Sequence, residues 1–97
     1  MKFKDQVVLI TGARQGIGKA MALAFAREGA DIGFAEIDPE SARAAADEIK
    51  AEGRRVFFKC VDVANYSQFQ TWVVEVGREL GRVGVLVNNA GIAKAMV

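Results

Sequence analysis

Three glycines stand within seven positions of the chain, between an apolar run and a segment with helical periodicity. They are Gly12, Gly16 and Gly18, in the stretch LITGARQGIGKA. Glycines at the junction of a strand and a helix let the backbone turn tightly and approach a ligand where a Cβ atom would collide. The helix that follows points its unpaired N–H groups into the turn. The spacing therefore predicts a site for an anion such as a pyrophosphate.

The apolar pattern alternates between strand and helix along the whole chain. Nearly continuous apolar runs predict buried strands at residues 6–11, 31–36, 55–61 and 83–89. Strands separated by helices run parallel and are joined by right-handed crossovers. We therefore expect one α/β domain over residues 1–97, with a Rossmann-type parallel sheet of four strands in the order 3-2-1-4 and three helices.

The three intervening segments have apolar residues at helical spacing. Asp38 followed by Pro39 predicts the start of the second helix, and Ser67 with Gln70 predicts a capping box for the third. Glycines end all three helices. The predicted buried faces are Ile17, Met21, Ala24 and Phe25 in the first helix, Ala42, Ala45, Ala46 and Ile49 in the second, and Phe69, Val73, Val76 and Leu80 in the third.

Composition excludes several classes of protein. The 13 Lys and Arg residues against 12 Asp and Glu leave no broad basic face for nucleic acid or an anionic membrane. The chain has one cysteine, Cys60, and no histidine, which excludes a disulfide scaffold and a His-centred metal site. The first apolar run is four residues long, too short for a signal peptide core or a membrane span. We expect a cytoplasmic protein.

Two kinds of nucleotide site compete for the glycine-rich turn. A P-loop would need a glycine at Ala13 and a hydroxyl at Ala20, and both are missing. A dinucleotide site needs an acidic residue at the end of the second strand, roughly 20 residues beyond the glycines, to accept hydrogen bonds from the adenosine ribose. Glu36 stands 18 residues after Gly18. The residues therefore favour the dinucleotide.

Three motifs at the carboxyl ends of predicted strands resemble the N-terminal half of the short-chain dehydrogenase/reductase family. They are TGARQGIG at 11–18, CVDV at 60–63 and NNAG at 88–91. The resemblance implies an oxidoreductase that transfers hydride between a nicotinamide cofactor and an alcohol or ketone. The resemblance also implies which residues contact each part of the dinucleotide. The pyrophosphate and nicotinamide ribose would be bound by Gly12, Arg14, Gln15, Gly16, Ile17 and Gly18. The adenine would be contacted by Asp62 and Val63, and the ribose and nicotinamide side by Asn89, Ala90 and Gly91.

Several of these residues have a purely structural alternative. The three glycines could simply shape the turn, and Asp62 could act only as a cap or turn former after the third strand. We expect Cys60 to be a small buried hydrophobe and Trp72 to pack in the core or on its helix. Gly33, inside the second strand, suggests a close approach of backbone or ligand.

The choice between NAD and NADP depends on opposing charges. The Glu36 carboxylate would lie against the 2′-phosphate that distinguishes NADP, and this favours NAD. Arg14 argues the other way. In the family a basic residue directly before the second glycine accompanies NADP use, but that position is Gln15 here. We expect NAD, with NADP less favoured.

The catalytic half of the family pattern is missing from these 97 residues. The resemblance implies a serine and a Tyr-x-x-x-Lys pair, but the one tyrosine, Tyr66, has Gln70 four positions on. Three hypotheses stay open: an NAD-binding fragment of an oxidoreductase truncated before its catalytic half, a stand-alone nucleotide-binding module, and an assembly fragment without cofactor.

A bare sheet face with VVLI and VLV, and the uncharged fourth-strand edge at Val85–Val87, predict a homodimer or higher oligomer.

We expect no dehydrogenase activity from the purified chain on a panel of alcohols and ketones, because it lacks a group to protonate or deprotonate the substrate oxygen. Spectrophotometric assay of nicotinamide oxidation and reduction checks this. Turnover that co-purifies with the chain through successive columns would contradict it.

Overall fold

The computed structural model describes residues 2–11, 17–62 and 64–87. Strands and helices alternate from one end to the other, as the apolar pattern predicts. In chain order they are β1 (Val7–Thr11), α1 (Ile17–Arg27), β2 (Asp31–Glu36), α2 (Pro39–Lys50), β3 (Val56–Cys60), α3 (Tyr66–Leu80) and β4 (Val83–Val87).

The four strands form one parallel sheet in the order β3-β2-β1-β4, which confirms the predicted fold and strand order. β1 lies in the middle, and all of its residues are buried. Helices α1 and α2 pack on one side of the sheet, the α1/α2 face, and α3 packs on the other, the α3 face. This distribution follows from right-handed crossovers on either side of β1.

Small residues bring the helices of the α1/α2 face close to the sheet. The predicted buried face of α2 is confirmed, since Ala42, Ala45, Ala46 and Ile49 are all buried. The predicted face of α1 is half right, since Met21 and Phe25 are partly buried against the core, but Ile17 is 51% exposed and Ala24 is exposed. The fully buried residues of α1 are Gly18, Ala22 and Ala26. The smallest residues of α1 meet the sheet at i, i+4 and i+8, because a helix approaches a sheet most closely along its narrowest stripe.

On the α3 face, Trp72, Val76 and Leu80 are buried against Val7 and Leu9 of β1. The ring of Trp72 lies 5.8 Å from that of Phe69, measured between centroids, which confirms that these aromatic residues serve in packing. The expectation that β1 exposes an apolar patch here is wrong, because α3 covers it. The exposure is found on β4, where Leu86 is 49% exposed.

At Gly33, a side chain of α3 packs directly against the backbone of the sheet. A Cβ atom on Gly33 would lie 2.6 Å from Cδ2 of Leu9 and 2.8 Å from Cγ1 of Val76. Space is tight at this glycine inside β2, but the predicted approach of backbone or ligand is wrong, because the neighbouring groups are packed side chains. Only a residue without Cβ lets Val76 seat against the middle of the sheet.

The starts of α2 and α3 are capped by side chains, one of them the predicted one. Asp38 caps α2 ahead of Pro39, as predicted. The predicted capping box of α3 is wrong: the helix begins at Tyr66, and Asn65 is its N-cap, with Oδ1 accepting from the Gln68 N–H at 3.1 Å. An asparagine in extended conformation supplies this acceptor one residue before the helix, so Ser67 already lies inside the first turn.

Cys60 is exposed, which contradicts the expectation of a buried thiol. It is the last residue of β3, and β3 is the outer strand of the sheet, so its side chain has sheet neighbours on one side only.

A register shift interrupts the pairing of β1 with β4. Val7 pairs with Val83, but the next residue, Val8, pairs with Val85, so Gly84 is an extra residue in β4. Such a bulge changes which face each later side chain points to. Beyond the bulge, each residue of β4 therefore points to the same face of the sheet as the β1 residue with which it pairs.

A buried carboxylate organises the edge of the sheet where the strands begin. Asp31 is 3% exposed and accepts three hydrogen bonds from Arg55, from the backbone N–H at 3.0 Å and from the guanidinium at 2.8 and 3.1 Å. Arg54 lies 3.2 Å from the same carboxylate. Arg55 also donates to the Leu80 carbonyl at 3.0 Å, which ties the end of α3 to β2 and β3.

Within the described parts of the chain, no helix has the length and apolar character needed to cross a membrane.

Gly33→Ala should destabilise the protein by about 1–3 kcal/mol, because the added methyl overpacks the contact with Leu9 and Val76. Gly77→Ala is the matched control on α3: a Cβ there meets nothing within 4 Å, and alanine should stabilise the helix by roughly 0.5–1 kcal/mol. Urea unfolding of both variants measures the change. Equal stability of Gly33→Ala and the unmodified chain would contradict the packing described.

Candidate functional site

The carboxyl ends of all four strands meet at one edge of the sheet, which is where ligands bind in open parallel α/β folds. Of the predicted site residues, the structure describes Ile17, Gly18, Glu36 and Asp62, and it places them on the connections and termini at this edge. The remaining predicted residues lie outside the described ranges: Gly12, Arg14, Gln15, Gly16, Val63, Asn89, Ala90 and Gly91.

The first turn of α1 presents the positive end of a helix at this edge. Ile17 begins the helix and Gly18 is buried, so the backbone N–H groups of the turn are not screened by a side chain at position 18. The turn contains no acidic residue, and Lys19 pairs with Glu48 of α2 at 2.7 Å. By contrast, α2 carries an acidic residue in its first turn. The N-terminus of α1 therefore suits an external anion.

Glu36 ends β2 and presents a partly exposed carboxylate at the same edge. Its Oε1 accepts the N–H of Ile37 at 2.9 Å, which orients the side chain just past the last strand residue. Its backbone carbonyl accepts the Val61 N–H at 3.2 Å, so β3 is held beside it. A carboxylate in this position can accept hydrogen bonds from a diol and repels a phosphate.

Asp62 follows β3 and is held by three hydrogen bonds, two within its loop and one to the first turn of α3. Its N–H donates to Oε1 of Gln68 at 3.0 Å, its carbonyl accepts from Asn65 at 2.9 Å, and its Oδ1 accepts from Ala64 at 3.0 Å. Asp62 therefore does form the turn after β3, as the structural alternative for this residue predicts. No residue in the described part of the chain donates to Oδ2, so this oxygen can serve a ligand as well.

Sequence reasoning missed Asn65 and Gln68. The signal was available in the spacing, because an asparagine three residues before a glutamine, and three after an aspartate, matches a run of local side-chain to backbone bonds. Gln68 also lines a cavity of about 330 Å³ between β3 and α3, together with Lys59, Cys60, Val61, Ser67 and Thr71.

Tyr66 does not stand in the setting of an acid/base group. It is 72% exposed at the start of α3, and its hydroxyl accepts a hydrogen bond from Nε2 of Gln70 at 3.0 Å. The neighbouring side chain is thus a neutral amide and not the lysine of a Tyr-x-x-x-Lys pair.

Residues 6–97 match the family model described as short chain dehydrogenase. Among curated proteins, the chain is 40% identical over 95 residues to the (2S)-[(R)-hydroxy(phenyl)methyl]succinyl-CoA dehydrogenase subunit BbsD of Thauera aromatica, covering 98% of this chain and 38% of that protein. It is also 40% identical over 94 residues to D-threitol dehydrogenase of Mycolicibacterium smegmatis, covering 96% of this chain and 36% of the relative.

Solved structures of dehydrogenases have a similar fold. A short chain dehydrogenase from Mycobacterium paratuberculosis bound to NAD superposes with a TM-score of 0.89 at 30% identity, over 95% of this chain and 39% of that one. Carveol dehydrogenase from Mycobacterium avium in complex with NAD gives 0.85 at 32% identity, over 91% and 36%. The chain thus spans less than two fifths of the length of each of these proteins.

Proposed function

We propose, from the premise that the chain belongs to the short-chain dehydrogenase family, that it binds NAD at the carboxyl edge of its sheet. It would form the cofactor-binding part of an oxidoreductase that transfers hydride between nicotinamide and an alcohol or ketone. The observation that carries the proposal is the arrangement of the α1 N-terminus, Glu36 and Asp62 along that one edge. The NAD-bound family members of similar fold support it.

Each part of the edge suits one part of the dinucleotide. The N–H groups at the start of α1 bind the pyrophosphate, Glu36 accepts hydrogen bonds from the adenosine ribose, and Oδ2 of Asp62 accepts one from the adenine amino group. We assign the other contacts with NAD to residues of the family motifs. These are Gly12, Arg14, Gln15 and Gly16 in the turn, the backbone of Val63, and, toward the nicotinamide, Asn89, Ala90 and Gly91. NAD itself supplies the hydride acceptor.

We also place the protein in the cytoplasm. Cys60 is an exposed free thiol, and such a group persists in the reducing conditions of that compartment.

Binding should favour NAD over NADP. Two like charges ~4 Å apart cost roughly 4 kcal/mol at an effective dielectric constant near 20, and less once salt screens them. Calorimetric titration of both dinucleotides should show tighter binding of NAD by the unmodified chain and a reduced preference in Glu36→Ala. Glu79→Ala removes the same charge from an exposed position late in α3 and should leave the preference unchanged.

Equal affinities for NAD and NADP in the unmodified chain would contradict the role of Glu36. Binding of neither dinucleotide would instead favour the assembly hypothesis.

We further propose that two copies of the chain associate through β4. Within the described residues β4 pairs with β1 alone, and its other edge offers backbone N–H and C=O groups to a further strand. Its sequence, VGVLV, carries no charge to discourage pairing, and Leu86 is 49% exposed. A two-fold axis perpendicular to the sheet would join two such edges antiparallel.

The bulge selects the register of this pairing. Leu86 pairs with Leu9 on the α3 face, whereas Val85 and Val87 pack with the core of the α1/α2 face. Around a two-fold axis perpendicular to the sheet, residues opposite each other must lie on the same face. A register centred on Leu86 meets this condition, because it sets Leu86 against its own copy and Val85 against the other copy's Val87.

Leu86→Cys, in a Cys60→Ser background, should form a disulfide-linked dimer under mild oxidation, because directly opposed residues have Cβ atoms ~4.5–5.5 Å apart. Val85→Cys in the same background should cross-link far less. Light scattering at micromolar concentration should show a dimer that Leu86→Lys disrupts. A folded monomer that binds no hydrophobic dye would refute the interface.

A further inference from the structure

We infer that Gln68 is a positioning residue for the nucleotide base: it holds Asp62 so that Oδ2 faces the amino group of adenine. The inference rests on the proposed function, since it concerns the same dinucleotide site. Gln68 itself lies on α3 and its side chain reaches back across the loop between β3 and the helix.

The contacts form a closed chain of hydrogen bonds between strand and helix. Asn65 caps α3 by accepting the N–H of Gln68 at 3.1 Å, and this fixes the backbone of Gln68 in the first turn. The side chain of Gln68 then accepts the N–H of Asp62 at 3.0 Å. Asp62 in turn accepts the N–H of Asn65 at its carbonyl, at 2.9 Å. The loop cannot shift without breaking at least one of these bonds.

This arrangement decides which oxygen of Asp62 is available. Oδ1 accepts the N–H of Ala64 at 3.0 Å, so the carboxylate plane is set relative to the backbone that Gln68 holds. Oδ2 remains as an acceptor. An acceptor in a set position favours a base with an exocyclic amino group and disfavours one with a carbonyl oxygen there, because two acceptors face each other without a proton.

Gln68 can be replaced without opening the core. Its side chain is exposed along the cavity between β3 and α3, and neither hydrophobic cluster includes it. Gln70 is a matched control, because it is an exposed glutamine two residues away on the same helix that bonds to Tyr66 and not to the loop.

The test compares NAD with nicotinamide hypoxanthine dinucleotide, in which a carbonyl oxygen replaces the adenine amino group. Calorimetric titration should show that the unmodified chain prefers NAD. Gln68→Met, which keeps the length of the side chain but removes the acceptor, should reduce this preference roughly 3- to 10-fold, the range expected for one lost hydrogen bond. Gln70→Met should retain it. In an Asp62→Ala background, Gln68→Met should cause no further change.

Amide hydrogen exchange provides a second measurement that needs no nucleotide. The Asp62 N–H should exchange faster in Gln68→Met and at an unchanged rate in Gln70→Met. An unchanged base preference in a folded Gln68→Met variant would overturn the role of Gln68 while leaving NAD binding intact. Failure of the unmodified chain to bind NAD would overturn the proposed function, and the positioning role with it.

Discussion

Burial of β1 on both faces is the constraint on which the rest of this structure depends. All five residues of the strand are buried, so helices must cover the sheet on both sides. With parallel strands and right-handed crossovers, the chain meets this need by leaving β1 first toward β2 and later returning to β4 on its other side. The strand order reverses at β1, and the carboxyl ends on either side of it form the kind of crevice in which ligands bind in open α/β sheets.

The charged residues at the two ends of the strands differ in how fully they are paired. At the edge where the strands begin, Asp31 and Arg55 join β2, β3 and the end of α3 through a buried carboxylate with well-matched donors. At the opposite edge, the carboxylates of Glu36 and Asp62 each accept a hydrogen bond only from a nearby backbone N–H and keep an oxygen available. Charges that are paired stabilise the fold, whereas those left partly unpaired can bind a ligand.

The sequence predicted the larger features of both fold and site. The face of α2 was predictable because Ile49 is its one large apolar residue, and Ala42, Ala45 and Ala46 lie on the same side of the helix. The face of α1 was predictable only in part, because several stripes of that helix are apolar and packing against α2 and the sheet selects the narrowest. The exposure of Cys60 depends on the outer position of β3, which the predicted strand order contains, and the expectation of a buried thiol did not take that position into account.

By itself, the sequence determined the alternation of strands and helices, the parallel sheet and the candidate residues at its carboxyl edge, because apolar periodicity and glycine spacing are local properties of the chain. The tertiary structure alone decided that Gly33 receives Val76 and that Gly84 shifts the register of β4. These depend on distances between segments that the fold brings together, and such distances follow from packing of the whole sheet with its helices.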